Sequence, residues 1–377
     1  MAQNILVDLS KLKNRYNGLG QFSYALGSAL LTAQRQNIEN SFQLTYLLPN
    51  ERRSLFQGIE FQGFEGFRDT KNSQKVSVPD FLRRLLDTDK TNYAVWHATA
   101  QDTRFWPYVS ERKASSQQAS TKIIYTIHDL NYVHLYQGMK LRYKLSQIQK
   151  RIDQASVITT ISHYVASEIR QYLNVGNKPL HVIYNGLIAL DQVEAQKPPS
   201  LTVRPFFLSL GELTPKKNFA VILPLLRDFS DFDWVVAGKK ETPYGFELLQ
   251  SAKQLGLSHR VHFLGVVEDA ERRWLYENCH AFLFPSLAEG FGLPVIEAMS
   301  FGAPVFVSNR TSLPEIAGDR GFYWSDFSPG AMGQVLQNGL EQAKEDVSFA
   351  QKQVAHARQF SWQKAAASYM DLYRSLL

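Results

Sequence analysis

Short apolar runs rich in β-branched and aromatic residues alternate with helix-like stretches, stop at a polar segment, and then begin again. Before the stop they are Ile5 to Val7, Leu44 to Leu48, Tyr93 to His97, Ile123 to Ile127, Val157 to Thr160 and His181 to Tyr184. After it come Phe206 to Leu210, Trp234 to Ala237, Val261 to Leu264, Ala281 to Phe284 and Pro304 to Val307. Strands of a parallel sheet look like this, because crossover helices cover both faces and leave no polar side. The stop itself, Asp191 to Ser200, has no apolar periodicity and holds two adjacent prolines, Pro198 and Pro199. It reads as a linker. The expected fold is therefore α/β, with two doubly wound domains at 1–190 and 204–358, a linker at 191–203 and a closing segment at 359–377. The last of these, from Trp362, has Ala365, Ala366, Tyr369, Met370, Leu372, Tyr373 and Leu376 at helical spacing. Two open sheets joined in this way leave a cleft between their carboxyl edges, where ligands of such sheets bind.

Composition narrows the function classes. Cys279 is the only cysteine, which excludes a disulfide-built scaffold and favours a reducing compartment such as the cytoplasm. No run of about 18 apolar residues occurs and the first residues lack a signal-peptide pattern, so neither a membrane span nor a leader is expected. Net charge is +6, but residues 1–190 hold 23 basic against 14 acidic side chains, and the remainder 18 against 21. The first half, at +9, is expected to meet an anionic surface or substrate. Lys140, Arg142, Lys144, Lys150 and Arg151, interleaved with Met139, Leu141, Tyr143, Leu145 and Ile148, form a basic amphipathic helix. Such a helix either lies on a membrane surface or simply presents a solvated face. Nucleic-acid binding is not expected, since no finger spacing or RNA-binding signature accompanies these charges.

The densest motif is Pro285-Ser-Leu-Ala-Glu289-Gly-Phe291-Gly292-Leu293-Pro-Val-Ile-Glu297-Ala298, which reads strand, loop, helix. Glycines there let a ligand approach the backbone, and Pro294 suits the first turn of a helix whose amino end attracts anions. Glu289 and Glu297 can both accept hydrogen bonds from hydroxyl groups. A second element, Gly211-Glu212-Leu-Thr-Pro-Lys216-Lys217-Asn218, turns two lysines toward the sheet edge, where they either neutralise a diphosphate or remain solvated. Arg310 to Glu315 follows another strand, with hydroxyls that can complete a phosphate cradle. In the first half, Gly18-Leu19-Gly20 follows the first strand but lacks the third glycine of a dinucleotide fingerprint, Ser23 standing in its place. It is expected to be a loop that admits a ligand. His128-Asp129 ends the fourth strand candidate, at the same kind of edge.

Together these segments resemble the retaining nucleotide-sugar glycosyltransferases of family 4, which have the GT-B architecture of two facing Rossmann-like domains. The Glu289-to-Glu297 motif is the most specific part. Gly18-Leu19-Gly20, Ile127-His128-Asp129, Thr160-Ile161-Ser162, Asn185-Gly186 and Lys216-Lys217-Asn218 follow the family's order. The resemblance implies that Glu289 holds donor-sugar hydroxyls beside the amides of Phe291, Gly292 and Leu293, and that Glu297 holds the ribose. Lys217, with Lys216 and Gly211, would contact the diphosphate. His128 would approach the sugar from the other domain, Gly18 and Gly20 would line the phosphate side, and backbone near Leu264 and Gly265 would meet the base. The last helix would pack back on the first domain. No cofactor or metal is expected, because lysines and helix ends would stabilise the leaving group. The Pro-Lys-Lys-Asn variant is most similar to mannosyltransferases of bacterial surface polysaccharide and lipopolysaccharide synthesis, so GDP-mannose leads over UDP-linked donors. The acceptor would be a saccharide or lipid-linked hydroxyl.

One departure stands out. Many members carry arginine where this chain has Glu212, and the neighbouring arginine of one subgroup is Lys216 here. Two point charges then replace a bidentate fork. Two other functions share the scaffold: a nucleotide-sugar epimerase or phosphorylase, and a catalytically silent binding subunit.

Overall fold

The computed structural model describes residues 3–13, 17–36, 42–49, 52, 61–64, 93–107, 121–201 and 204–377. In the first sheet β1 (Gln3–Asp8), β2 (Phe42–Pro49), β3 (Phe61–Phe64), β4 (Tyr93–Ala98), β5 (Lys122–Ile127), β6 (Val157–Thr160) and β7 (Leu180–Val182) are all parallel, in the order β3-β2-β1-β4-β5-β6-β7. Their helices are α1 (Gly18–Gln36), α2 (Tyr132–Leu135), α3 (Gly138–Gln154) and α4 (His163–Tyr172). The second sheet, also all parallel, has the order β10-β9-β8-β11-β12-β13, built from β8 (Phe206–Leu210), β9 (Asp233–Ala237), β10 (Val261–Gly265), β11 (Ala281–Phe284), β12 (Val305–Ser308) and β13 (Phe322–Trp324). Around it lie α5 (Pro243–Gln254), α6 (Asp269–Asn278), α7 (Leu293–Ser300), α8 (Leu313–Ala317), α9 (Pro329–Glu345) and α10 (Phe349–Ala357), and α11 (Trp362–Leu376) follows. This is the two-sheet α/β architecture that the alternating pattern predicts.

The departures are local and have physical reasons. β3 and β13 are four and three residues long, too short for a pattern to declare itself. Gly18-Leu19-Gly20 is the first turn of α1 rather than a loop: the Asn17 side chain accepts from the Gly20 amide at 2.8 Å, and the Asn17 carbonyl accepts from Gln21. Such a cap starts the helix before the glycines. Beyond Asn218 the chain forms a 3-10 helix over Phe219–Arg227, with Pro224 inside it removing an amide donor.

The segment expected as a linker lies along α6, where Arg273 donates to the carbonyls of Asp191 and Val193 at 2.8 and 2.7 Å. Leu190 and Leu201, at its two ends, are buried in the second domain's core. Thr202 and Val203 fall outside the described residues. The chain passes between domains near Leu187, whose amide donates to the Phe360 carbonyl at 3.0 Å as the chain returns.

That return joins the two ends of the sequence. Ala365, Ala366, Tyr369, Met370 and Tyr373 of α11 share one buried cluster with Ile5, Val7, Phe22, Leu26 and Leu30. A polar chain runs beneath them. His97 on β4 is fully buried, with Nδ1 2.7 Å from the Tyr373 hydroxyl and Nε2 2.8 Å from Thr126, which in turn lies 2.7 Å from Thr159. Burial, and then the nearby His128, hold the His97 imidazole down to about 3. Polar groups placed so deep must be paired.

Two outcomes are expected. Tyr373→Phe leaves His97 Nδ1 without its partner in a buried site and should lower unfolding free energy by about 1–3 kcal/mol in urea titrations. His97 stays neutral in the folded chain while the unfolded imidazole takes a proton near 6.5. Its contribution to stability is therefore complete above about pH 6.5 and falls by about 1.4 kcal/mol per unit as pH drops toward 3. NMR of the ring should show no protonation between pH 7 and 5.

Candidate active site

In the second sheet, β9 and β10 lie on one side of β8, and β11 to β13 on the other. The connections therefore diverge between β8 and β11, which opens a crevice at their carboxyl ends. The loop after β8 carries Gly211 to Lys217, and the loop after β11 carries Pro285 to Gly292. The crevice unites them. A 3-10 turn, Pro215–Lys217, swings Lys217 back under the sheet edge, and Asn218 ends it with a left-handed φ of 55°. Lys217 Nζ then lies 2.6 Å from Glu289 Oε1 and 4.4 Å from the centre of the Phe284 ring. The side chains of Lys217 and Glu289 are only 11% and 12% exposed. Gly211 makes room: with its φ of 147°, a Cβ there would come within 2.9 Å of Lys217 Cε.

Burial alone would raise the Glu289 carboxyl. The charges of Lys217 and Lys216, and hydrogen bonds from Lys217 and Ser286, instead bring it below the usual range. Burial draws the Lys217 ammonium down, against the pull of Glu289. Ser286 Oγ donates to Glu289 Oε1 at 2.7 Å. Lys216 is half-buried, and its charge reaches both Glu289 and Asp129.

Arg310 to Glu315, expected to offer hydroxyls to a phosphate, holds the Glu289 loop instead. Thr311, at a left-handed φ of 52°, accepts from the Glu289 amide at 3.0 Å, and Ser312 lies 2.9 and 3.0 Å from the carbonyls of Glu289 and Phe291 as donor. Ser312 is buried and engaged there, whereas Thr311 is half-buried and uses its hydroxyl oxygen as an acceptor. The loop then ends in α7, whose amino end is capped by Gly292 at φ 106° and followed by Leu293 and Pro294. Among the described residues, none of the amides of Phe291, Gly292 and Leu293 is hydrogen-bonded. Unbonded amides at and just before a helix start carry partial positive charge, which suits an anion.

The first domain closes over this loop. A Cβ on Gly290 would sit 2.1 Å from the His128 carbonyl, so only glycine permits the approach. His128 is buried, with Nε2 2.7 Å from the Thr99 carbonyl and its ring edge-on to Phe22 at 4.4 Å. A carbonyl only accepts, so Nε2 carries the proton and Nδ1 presents a lone pair. Burial draws this imidazole down to about 4, which keeps it neutral at physiological pH. Asp129, next in sequence, is raised by burial against the lowering charge of Lys216.

The remaining predicted residues are more dispersed. Glu297 is 1% exposed, accepts from the Tyr276 hydroxyl at 2.8 Å and lies 3.9 Å from Arg272. Its Oε1 has no hydrogen bond, and burial raises its pKa against Arg272 and Tyr276. Leu264 and Gly265 end β10, two strands from Lys217, and the Gly265 carbonyl accepts from Gly238 at 2.7 Å. Gly18 and Gly20 begin the helix whose Phe22 touches His128. Glu212 is exposed beside Lys239, 3.5 Å away. Tyr276 and Arg272 were not legible as site residues, because each acts by holding Glu297 rather than by any motif of its own, and Thr311 and Ser312 were legible only as hydroxyls for a phosphate.

Two family models cover most of the chain: Glycosyltransferase Family 4 matches residues 30–188 and Glycosyl transferases group 1 matches residues 192–356. O-antigen chain mannosyltransferase B of Escherichia coli is 26% identical over 99% of this chain and 100% of its own length. O-antigen chain mannosyltransferase RfbU of Salmonella typhimurium is 27% identical over 72% of this chain and 78% of its own. Among solved structures, HepE of Anabaena in complex with UDP-glucose superposes with a TM-score of 0.70 at 18% identity, covering 99% of this chain and 100% of that one. With two parallel sheets divided between two such models and a GT-B neighbour matched end to end, the chain belongs to the family 4, group 1 glycosyltransferases.

Proposed function

We propose that this glycosyltransferase moves mannose, with retention of configuration, from a nucleoside-diphosphate donor to a saccharide or lipid-linked hydroxyl in surface-polysaccharide synthesis. GDP-mannose is the leading donor. The reading rests above all on the buried Lys217–Glu289 pair beside the three unpaired amides of α7. The printed names of the O-antigen relatives support mannose, and the UDP-glucose complex of HepE supports a nucleotide sugar.

Each group has a task in this scheme. Lys217 gives one N–H to Glu289 and has two left for the diphosphate, whose charge grows as the glycosidic bond breaks. Lys216 adds a second positive charge. Glu289 Oε2, unbonded among the described residues, accepts from sugar hydroxyls, with the amides of Phe291, Gly292 and Leu293 alongside. His128 Nδ1 accepts a further sugar hydroxyl from above. Glu297 Oε1, buried without a hydrogen bond though 3.9 Å from Arg272, takes a ribose hydroxyl, and backbone at Leu264 and Gly265 meets the base. The first turn of α1, with Gly18 and Gly20, faces the phosphate side. The departing phosphate oxygen receives the acceptor's proton, so that attack occurs on the face the leaving group vacates.

With lysines and helix dipoles stabilising the leaving group, transfer from GDP-mannose should proceed in EDTA and yield an α-mannoside by NMR. Lys217→Ala should lower kcat/KM about 10²-fold in a folded protein. Activity lost to chelator and restored by Mg²⁺, or an inverted product, would overturn that part of the scheme.

The acceptor side bears on location. Among the described residues no helix is long and apolar enough to cross a membrane. On α3, however, Leu141, Leu145, Ile148 and Ile152 face inward, leaving Met139 86% and Tyr143 63% exposed. Exposed Lys140, Arg142, Lys144 and Lys150 surround them. Arg151 does not join them, since it turns inward to the carbonyls of Gln101 and Thr103. This face is proposed to rest on the anionic inner surface of the cytoplasmic membrane, each basic residue contributing about 1 kcal/mol. The protein should pellet with anionic vesicles at low salt and less with neutral ones, and Met139→Ser with Tyr143→Ser should weaken pelleting. Equal pelleting with both vesicle types would leave a soluble acceptor as the better reading.

A further inference from the structure

Residues 311 to 315 contact the catalytic loop and the opposite domain within five positions. Thr311 and Ser312 hold the backbone of Glu289 and Phe291. Three residues on, in α8, Glu315 reaches across the cleft to the amino end of α4. There Oε1 accepts from the His163 amide at 2.7 Å and Oε2 from the Tyr164 amide at 2.8 Å. A helix start leaves its first amides without intrahelical partners and carries partial positive charge, so a carboxylate that takes two of them is well placed. Ser162 completes the cap from within: its Oγ accepts from Val165 at 3.2 Å and donates across the cleft to the Gly290 carbonyl at 2.9 Å. Gly290, in turn, rests on the His128 carbonyl. The contacts between domains thus converge on one loop from two directions.

We propose that Glu315 is a positioning residue, which docks the second domain on α4 and thereby sets the Glu289 loop against His128 for transfer. The role rests on the glycosyl-transfer reading, but the docking itself does not. Glu289, Lys217, Lys216, Glu297 and the α7 amides all belong to the second domain, so a nucleoside diphosphate can bind while the domains are apart. Only the alignment of Glu289 with His128 requires Glu315 to be seated. Its loss should therefore reduce turnover and spare nucleoside-diphosphate affinity, the reverse of what removing a diphosphate ligand does.

The test uses the full chain with spin labels at Lys150→Cys on α3 and Gln337→Cys on α9, both exposed. Both labels are placed in a Cys279→Ser parent, because the half-buried Cys279 is otherwise a third thiol for the label. In Glu315→Ala the distance distribution should shift from that of the parent toward a separated population, with Glu315→Gln intermediate. GDP and UDP affinities, measured by calorimetry, should stay within about threefold in both variants, because their ligands are untouched. With GDP-mannose, kcat should fall about 10- to 100-fold in Glu315→Ala, and Glu315→Gln should recover part of it. An unchanged distance distribution in both variants would overturn the docking role, whatever the donor proves to be. GDP and UDP affinities falling in step with kcat would overturn the positioning role. If the unsubstituted chain does not turn over GDP-mannose, the donor assignment fails, and the distances and nucleotide affinities still decide the role of Glu315.

Discussion

A lysine and a glutamate 72 positions apart meet at 2.6 Å in a site that water barely reaches. Removing two charges from water is costly, and attraction between them repays it only when geometry and added hydrogen bonds are good. Here Ser286 donates to the same carboxylate oxygen, and the Phe284 ring lies under the ammonium. The surrounding backbone follows from that need. Gly211 has no side chain because Lys217 passes over it, Asn218 turns left-handed to end the lysine's turn, and Thr311 and Ser312 fasten the loop that carries Glu289. The divergence of strand connections at β8 and β11 is what brings the two loops to one crevice.

The pair is also a form of readiness. Without a donor, the two charges neutralise each other, and neither must be gathered from a flexible surface when substrate arrives. In the proposed reaction, a diphosphate and a sugar hydroxyl would each take up the valences that the pair leaves open, so that little reorganisation would accompany the charge developing during bond cleavage. The opposite wall is neutral by design of its surroundings: His128 is proton-bearing only at Nε2, fixed by the Thr99 carbonyl, and burial keeps it from charging. A cationic imidazole there would compete with the lysines for the same anion.

Much of this was readable before any coordinates. β5, β6, β8 and β11 follow from apolar runs because strands covered on both faces can contain little else. The Glu289 segment declares itself because glycines, proline and carboxylates occur together at a strand end. Polar partnerships across the fold were not readable. Thr311 and Ser312 have the composition of a phosphate loop, and only the path of the chain shows their hydroxyls turned to the Glu289 backbone. The same holds for Arg151, one of five basic residues in a sequence window but bound to carbonyls of the neighbouring loop in space. Asn17 shows the limit at a helix start: a side-chain cap converts a glycine pair that looks like a loop into a first turn.

The union of α11 with the first sheet bears on how the chain is made. Tyr369, Met370 and Tyr373 sit in the core with Ile5 and Val7, and His97 Nδ1 is paired through Tyr373. On a ribosome, the first domain emerges before α11 and cannot finish its core until α11 is released. The second domain has its own apolar clusters and can fold in the meantime. Order of synthesis and order of completion are thus inverted: the half made first is sealed last. A chain lacking the later turns of α11 would lose packing against β1 and α1, and contacts of this separation make the closing step slow.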